Sequence, residues 1–252
     1  MTVFHHFAPR RDPRYSIVMT SSTYGCRPTL KLAAFLLAAL AFVLMPPLSA
    51  AASPLADFFA KPAALRPGLD VLVALNLDSS SETMDLVTNG LSCGLEYPLG
   101  SGFSFEPSFD AYWGYYELSA SGRAVPTEIS DRDVYAFCLL LDFPIVYTLR
   151  VGADFSLSGG LGLCFEPRLG IKAAKDVEDS TVASINSYFW SEGRFFMPST
   201  LLRAEYRLND KISIGLGSSF HWPIYHLWAD EGLSFFDQSL IDSSLSIRYR
   251  LR

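Results

Sequence analysis

Apolar side chains recur at every second position through residues 134–171, on both sides of a turn near residues 150–154. Period two is typical of a β-strand, because successive side chains point to opposite faces of the sheet. The segment therefore predicts a long β-hairpin with two unlike faces. One face carries Tyr135, Phe137, Leu139, Leu141, Phe143, Ile145, Tyr147 and Leu149, followed by Phe155, Leu157, Leu161, Leu163 and Phe165. The other face carries Ala136, Cys138, Asp142, Ser156, Ser158, Gly160, Gly162, Glu166 and Arg168.

The length of this hairpin indicates its environment. Each arm has roughly fifteen residues, whereas an ordinary strand has about five or six. A tilted strand that crosses a bilayer needs about 9–11 residues and can project beyond the membrane. The second face is small or charged, which suits a crowded barrel interior better than a solvent-facing sheet. We therefore expect the apolar face to contact lipid.

The same alternation recurs in further segments, and the sequence predicts an all-β fold with eight strands. The predicted strands are 69–77, 91–99, 103–117, the two arms of the 134–171 hairpin, 190–208, 211–225 and 241–251. Long polar loops, at 78–88, 119–132, 173–187 and 226–239, alternate with short turns. This pattern is typical of an eight-stranded antiparallel up-and-down transmembrane β-barrel. Closure of the barrel would leave no unpaired strand edge in lipid.

Residues 1–52 have the organisation of an N-terminal extension and a secretory signal peptide. Lys31 precedes the apolar run 32–48, and small residues follow it at 49–52. This order of basic, apolar and small segments predicts cleavage at 50–52. An uncleaved membrane anchor is the alternative, although a run of about 17 residues with two prolines near its end is at the short limit for a spanning helix. Residues 53–67 then form a periplasmic leader, and residues 68–252 form the barrel.

Aromatic residues make up 14% of the chain and concentrate near the predicted strand ends. Transmembrane barrels carry girdles of aromatic side chains at both membrane interfaces. Near the long loops, the sequence predicts an outer aromatic cluster of Trp113, Tyr115, Tyr116, Trp190, Trp222, Tyr225 and Trp228. Near the short turns, the corresponding residues are Tyr97, Phe103, Tyr147, Phe155, Tyr206 and Tyr249.

Charged residues make up only 18% of the chain, and several fall on the predicted inward faces. Eight strands enclose an interior just wide enough for side chains, and buried charges need partners. We therefore predict a network of ion pairs that plugs the lumen rather than a conducting path. Its members are Glu96, Glu106, Asp110, Asp142, Glu166, Arg168, Arg194, Arg203, Glu205, His221 and Arg248. The net charge of −6 and the lack of phosphate-loop or metal-ligand spacing give no reason to expect nucleic acid, a metal or another cofactor.

The chain resembles the small outer-membrane β-barrel proteins, the group with OmpW-like, OmpX-like and OmpA-barrel-like members. The resemblance rests on the strand segment 141–147, the glycine-rich return 158–163 and the layout of residues 69–251. The sequence departs from the group at its end, where a terminal Phe is common and this chain has Leu251 and Arg252. Tyr249 is then the substitute for the terminal aromatic residue.

The resemblance implies a location in the bacterial outer membrane, with outer-membrane lipid and the barrel-assembly machinery as partners. By resemblance to the OmpW-like members, we expect the barrel to bind or pass small hydrophobic molecules. The alternative is a structural barrel whose surface loops act as an adhesin or interaction protein.

A remote alternative is a lipid A esterase, because some small outer-membrane barrels resemble such enzymes. His221, with Ser219, Glu205 and Arg203, could form an acyl-hydrolase arrangement. No nucleophile elbow or other hydrolase motif accompanies these residues. We therefore expect His221 to join the lumen network and the protein not to be an enzyme.

Three cysteines, Cys93, Cys138 and Cys164, follow the predicted cleavage site. Cys93 shares a face with Leu91 and Leu95, so we expect a free thiol in lipid. Cys138 and Cys164 lie on inward faces of paired strands, each about a dozen residues from the turn. Antiparallel pairing would place them nearly opposite each other, within disulfide range. A disulfide formed in an oxidising compartment and two free thiols that fill space as small apolar side chains both stay open.

Overall fold

The period-two segments form β-strands throughout the part of the chain that the computed structural model describes, namely residues 58–59, 61–77, 85–127, 133–229 and 232–251. Within these ranges the strands are β1 (Ala64–Ala74), β2 (Leu86–Gly100), β3 (Phe103–Phe105), β4 (Ser108–Leu118), β5 (Ala124–Pro126), β6 (Val134–Asp142), β7 (Ile145–Val151), β8 (Phe155–Phe165), β9 (Arg168–Lys172), β10 (Phe196–Arg207), β11 (Ile212–His221) and β12 (Leu240–Arg250). An α-helix, α1 (Asp179–Trp190), lies between β9 and β10. Short 3-10 turns follow at Ser191–Gly193 and Ile224–Leu227.

The described residues all belong to one compact unit, Ala50–Arg252. The predicted signal peptide, its cleavage site and most of the first predicted loop lie outside the described residues. Of the predicted leader, the structure describes residues 58–59 and 61–67. No helix in the described ranges is long and apolar enough to cross a membrane.

The strands form a closed ring of eight barrel strands. The third barrel strand consists of β3 and β4, the fourth of β6 and β7, and the fifth of β8 and β9. Each barrel strand pairs with the next in antiparallel order, and β1 pairs with both β2 and β12. Ala64 lies opposite Glu96 on one side and Arg250 on the other, so the first and last strands close the wall. The predicted eight-stranded antiparallel barrel is confirmed.

Prolines interrupt three neighbouring barrel strands, at Pro107, Pro144 and Pro167. Proline has no N–H to donate, so the regular ladder stops at these positions. Their carbonyl oxygens still accept hydrogen bonds from backbone N–H groups of the adjacent barrel strand, at 2.9 to 3.1 Å. For Pro144 the donor is Glu106, at 3.0 Å. The wall therefore continues past each proline as a local irregularity and not as a gap.

Outward-facing side chains form an apolar belt around the barrel. Leu161, Leu202 and Leu216 are 71%, 72% and 66% exposed, whereas the inward-facing Ser199 and Arg203 are buried. Other large exposed side chains of the belt are Leu69, Val71, Leu91, Trp113, Ile145, Leu149, Leu157, Leu163, Leu169, Ile214, Leu245 and Ile247. A continuous apolar belt around a closed barrel is the surface that lipid requires. The predicted outward-facing and lumen-facing sides are confirmed.

One end of the barrel holds more regular structure than the sequence predicts. The segment 173–187, predicted as a loop, contains most of α1, and the predicted loop 119–132 contains β5, which pairs with the end of β4. The loop prediction was wrong because the charged run from Lys175 to Glu178 precedes the helix instead of continuing through it. Asp179 then occupies the first turn, where a carboxylate complements the helix dipole.

Three strands begin at positions that differ from the prediction. β1 begins at Ala64, within the predicted leader, because its first residues pair with both β2 and β12. β2 begins at Leu86, within the predicted loop 78–88, and β10 begins at Phe196, after the predicted start at 190. The two prolines in residues 62–67 disguise the start of β1, because proline is uncommon inside strands.

The connections lie at two opposite ends of the barrel. The short turns at residues 100–102, 152–154 and 208–211 lie at one end, called the turn end here. The described parts of the longer connections, residues 119–127, 133, 173–195, 222–229 and 232–239, lie at the other end, called the loop end. If the loop end faces the outside of the cell, trypsin added to intact cells should cut after the exposed Lys175.

Mass spectrometry of the released fragments checks this topology. Cutting after Lys211 or Arg150, which are exposed at the turn end, should require broken cells. Cutting at these turns in intact cells, with Lys175 protected, would invert the topology.

Candidate functional site

Charged side chains fill the lumen near the turn end. The six residues of this turn-end network are Arg66, Glu96, Glu106, Arg203, Glu205 and Arg248. Arg248 Nε donates to Glu96 Oε2 at 2.6 Å, and Arg203 Nη2 lies 2.8 Å from Glu106 Oε2. Arg66 lies between these pairs, 3.5 Å from Glu96 and 3.8 Å from Glu106. The network therefore joins β1, β2, β10, β12 and the third barrel strand across the lumen.

The turn-end network balances its own charge, because three guanidinium groups face three carboxylates. It includes five members of the predicted lumen network and adds Arg66. Below it, a hollow of about 310 Å³ opens at the turn end. In the described part of the chain, these ion pairs occupy the lumen near the turn end, and the block of ion passage stays a prediction.

A second ion pair lies near the loop end. Tyr112 donates its hydroxyl proton to Glu166, and Glu166 Oε2 lies 3.5 Å from Arg168 Nε. The Arg168 guanidinium also lies 4.5 Å from the centre of the Phe189 ring on α1. A cation over an aromatic face is attracted by the ring quadrupole, so this pair helps to hold the helix.

Arg194 is buried just before β10 and joins the 3-10 turn to the lumen. Its Nη2 donates to Glu192 at 2.7 Å, and its guanidinium lies 4.0 Å from the centre of the Tyr188 ring and 5.2 Å from that of Tyr225. Arg194 was predicted to lie on a strand and to belong to the lumen network. It instead lies before β10 and contacts Tyr188 of α1 at the loop end.

The other predicted members of the lumen network, Asp110, Asp142 and His221, lie at mid-depth between these ion pairs. Asp142 accepts hydrogen bonds from Ser199 Oγ at 2.7 Å and from the N–H of Phe143 at 3.0 Å. All three border a cavity of about 70 Å³. Among the described residues, none of them forms an ion pair.

Apolar side chains line the lumen between mid-depth and the loop end. This apolar chamber consists of Leu72, Leu86, Leu140, Met197 and Leu240 from the wall and Ile185 and Phe189 from α1. The lumen of an outer-membrane barrel is ordinarily polar. Here seven large apolar side chains, two of them on α1, pack beside the buried Arg168, whose guanidinium lies over the Phe189 ring.

The closed ring, the apolar belt and the filled lumen occur together in one chain. The chain forms a small eight-stranded β-barrel of the transmembrane type. This agrees with the predicted location, because closed barrels of this kind are the β-structures that span the outer membrane of bacteria.

Solved structures with a similar arrangement include an outer membrane protein and a designed transmembrane barrel. The barrel is similar to the outer membrane protein OprG from Pseudomonas aeruginosa, with 12% identity, a TM-score of 0.44, and 76% of this chain and 97% of that chain covered. It is similar to Ail, the attachment invasion locus protein of Yersinia pestis, with 11% identity, a TM-score of 0.43, and coverage of 75% and 97%. A de novo designed transmembrane β-barrel shows 12% identity, a TM-score of 0.36, and coverage of 76% and 98%. These similarities carry no argument about ligand or activity.

No protein-family model and no curated protein matches the sequence of the barrel.

The predicted outer aromatic cluster is divided between two faces of the barrel. Trp113, Trp190 and Trp228 are exposed on the outside, whereas Tyr116 and Tyr225 are buried in the lumen. The other two members, Tyr115 and Trp222, are partly exposed. One shared cluster is therefore not formed, because Tyr116 follows the inward alternation of β4 and the 3-10 turn aims Tyr225 inward.

The residues of the hydrolase hypothesis are only partly brought together. Ser219 and His221 border the mid-depth cavity, but neither ring nitrogen of His221 has a hydrogen-bond partner among the described residues. Glu205 belongs to the turn-end network, as does Arg203. A hydrogen-bonded Ser–His–acid arrangement, which nucleophilic catalysis by serine uses, is not formed by these four residues.

The hypothesis of a disulfide between Cys138 and Cys164 was wrong. Cys138 lies opposite Arg168, and Cys164 lies opposite Asp142. The two thiols are thus four positions out of register, or about 13 Å along the strands, which exceeds the disulfide range. The hairpin turns around Ala153, so the two cysteines are at unequal distances from it. Both are free and buried, and Cys93 is a free thiol of intermediate burial.

Three lumen residues escaped the sequence prediction of the network, namely Arg66, Asp70 and Asp242. Arg66 lay in the predicted leader. Asp70 and Asp242 carry a signal in the sequence, because each alternates with outward apolar residues of its strand. The period-two alternation indicates that both side chains point into the lumen. Which side chains lie beside them depends on the pairing of β1 with β12.

Proposed function

We propose that the barrel binds small hydrophobic molecules in its apolar chamber and does not alter them chemically. The apolar lining of the loop-end lumen carries this proposal, because ligand pockets are predominantly apolar. The lining includes Leu140, Met197 and Leu240, which are almost completely buried in the interior of the barrel. Apolar side chains at this position favour an apolar ligand over an ion.

The helix α1 is the cover of this chamber. Its inward residues Ile185, Tyr188 and Phe189 are buried, and Phe189 stacks edge-on against Tyr116 with 5.0 Å between ring centres. Asn186 fastens the helix to the wall by donating to the Gly170 carbonyl at 3.0 Å and accepting from the Gly170 N–H at 2.9 Å. The cavity that Met197 and Leu240 border is only about 10 Å³. Binding therefore requires α1 to shift outward, so that the ligand takes the place of its side chains.

The route out of the chamber is sideways into lipid in this proposal. The turn-end network occupies the lumen between the chamber and the turn end. An apolar molecule would have to break buried ion pairs to continue along the barrel axis, which is unfavourable. The belt of exposed leucines on the outer wall offers an apolar surface for release.

Saturable uptake of an apolar fluorescent probe, 1-N-phenylnaphthylamine, tests this function. The full chain is refolded into phospholipid vesicles, and vesicles without protein correct for partition into lipid. We expect saturable binding that falls at least tenfold in Met197→Gln, because the new amide has no hydrogen-bond partner against an apolar ligand. Planar-bilayer recordings on the same sample should show no steady ion conductance, because the lumen is plugged.

A matched control is Ser184→Gln, which places the same amide on the exposed face of α1. Both variants should retain the heat-dependent shift in gel mobility of a folded barrel. Equal binding by the two variants, or wild-type binding no greater than that of empty vesicles, would contradict the proposal.

The surface of the last loop favours a second candidate function. Leu227, Trp228 and Phe236 are 73%, 56% and 47% exposed at the loop end. Exposed apolar side chains clustered in a surface loop are a common feature of protein–protein contacts. This supports the alternative of an adhesin or interaction protein. Cell adhesion lost in Trp228→Ser, with probe uptake unchanged, would favour it.

A further inference from the structure

Three aspartates from separate parts of the chain converge at mid-depth in the lumen. Asp70 lies on β1, Asp110 on β4 and Asp242 on β12, and all three are buried. One carboxylate oxygen of each lies within 4.8 Å of the others. The three strands are neighbours in the closed wall, apart from the interposed β2.

These carboxylates have no cationic partner among the described residues. The three arginines of the turn-end network face three glutamates, and Arg168 pairs with Glu166. Asp70 accepts one hydrogen bond, from Ser92 Oγ at 3.0 Å, while its other oxygen and one oxygen of Asp242 have none. Buried carboxylates without compensation are strongly unfavourable. The cluster therefore requires either protons or a bound cation.

His221 supplies an independent observation at the same place. Its ring is 1% exposed, and neither nitrogen has a hydrogen-bond partner among the described residues. The ring borders the same cavity of about 70 Å³ as the three aspartates. On β11 it lies opposite Leu240, two residues from Asp242, so the two inward side chains are diagonal neighbours. A neutral buried imidazole with a free lone pair is a common metal ligand.

We propose that the barrel binds a divalent metal ion at mid-depth, through Asp70, Asp110 and Asp242. The ring nitrogens of His221 lie more than 4.8 Å from at least one of these carboxylate oxygens, so His221 becomes the fourth donor when its side chain turns further into the cavity that it borders. Three oxygen donors and one nitrogen favour Mn²⁺, Co²⁺ or Zn²⁺, whereas Ca²⁺ and Mg²⁺ prefer oxygen alone. Two donors that bind one ion with bonds of about 2.0–2.2 Å lie at most about 4.4 Å apart, so the carboxylate oxygens, which lie within 4.8 Å of one another, need only a small inward movement to bind it.

A bound ion would also stabilise the closure of the ring. Asp70 and Asp242 lie on β1 and β12, the two strands that close the ring. A metal held between them ties the closing pair to the third barrel strand through Asp110. The four donors are too far apart in the sequence to show a ligand-spacing motif, which explains why the sequence gives no metal prediction.

The metal content of the purified barrel tests this inference. The full chain is refolded with Mn²⁺, Co²⁺, Zn²⁺, Ca²⁺ or Mg²⁺ in turn, freed of excess ion by gel filtration and analysed by mass spectrometry. We expect one Mn²⁺, Co²⁺ or Zn²⁺ per chain. The thermal midpoint should rise with the concentration of that ion, because a ligand that binds only the folded state stabilises it.

Asp110→Asn separates a metal site from a cluster of protonated carboxyls. If an ion is bound, this variant loses it, and its midpoint no longer depends on metal. If the carboxyls are merely protonated, the variant should be as stable as the wild type or more so, and metal should shift neither protein. Asp154→Asn, which removes an exposed carboxylate at the turn end, should keep the ion and serves as the control.

The contribution of His221 has its own readout. Co²⁺ bound by the wild type should give visible absorption bands, and His221→Asn should change these bands and weaken Co²⁺ and Zn²⁺ binding at least tenfold. Two results would overturn the inference: a wild type that retains no stoichiometric ion, or retention that is unchanged in Asp110→Asn.

Discussion

Replacing Arg203 by Met is expected to destabilise the folded barrel by about 3–5 kcal/mol, the cost of breaking a buried ion pair by removing one partner. Arg203 is buried on β10, and its Nη2 lies 2.8 Å from Glu106 Oε2. Its loss leaves three glutamates of the turn-end network facing two arginines. The free energy of unfolding, from reversible urea titration in phospholipid vesicles, measures this effect.

The control for this prediction is Arg207→Met, on the same strand. Arg207 lies 3.0 Å from Asp154, but both side chains are exposed, at 42% and 47%. Exposed ion pairs contribute only about 0–1 kcal/mol, so this change should cost little. Equal effects of the two substitutions would mean that solvent screens the turn-end network and that it does not act as a buried plug.

Replacing Leu161 by Arg should destabilise the barrel by about 2–4 kcal/mol, the cost of an arginine on the lipid face near the middle of the bilayer. Leu161 is 71% exposed near the middle of β8, opposite Thr200 and Ile145 on the two adjacent strands. The same urea titration in vesicles measures the change. A neutral or stabilising effect would mean that this face contacts water, as in a soluble lipocalin-like barrel.

A neighbouring glycine provides the matched small change on the same face. At Gly159, an added Cβ would meet only Leu202 Cδ2 at 3.7 Å and a backbone oxygen at 3.9 Å, so Gly159→Ser should cost far less than Leu161→Arg. The sequence predicts that Gly160→Ser is also milder than Leu161→Arg. In the structure a Cβ at Gly160 would lie 2.9 Å from Val146 Cγ2 and 3.0 Å from the Ile145 carbonyl oxygen, so we expect Gly160→Ser to cost more than Gly159→Ser.

The wall of the barrel was predictable because the side of the sheet that a residue faces is set locally. Leu161 and Leu202 follow period two within their own strands, and each is exposed as the alternation indicates. The number of strands follows from the same local signal. Arg66 was not predicted in the network, because Pro62 and Pro67 led us to assign its segment to the leader. Proline is uncommon inside a strand.

The contents of the lumen were less predictable, because they depend on which strands meet across the ring. Asp70 and Asp242 are 172 positions apart in the numbering and become neighbours only when β1 pairs with β12. The predicted register of the 134–171 hairpin depends in the same way on the position assumed for the centre of its turn. A small change in the assumed turn centre placed Cys138 opposite Cys164, whereas Cys138 pairs with Arg168.

The pairing of β1 with β12 also constrains how the molecule can assemble. This ladder joins the two strands from Ala64 with Arg250 to Ala74 with Leu240, so its contact order is very high, and such contacts form slowly. Until these strands meet, each leaves a row of backbone groups without partners, which lipid does not tolerate. We therefore expect the strands to insert together with closure of the ring, and the predicted barrel-assembly machinery would protect both edges until the last strand arrives.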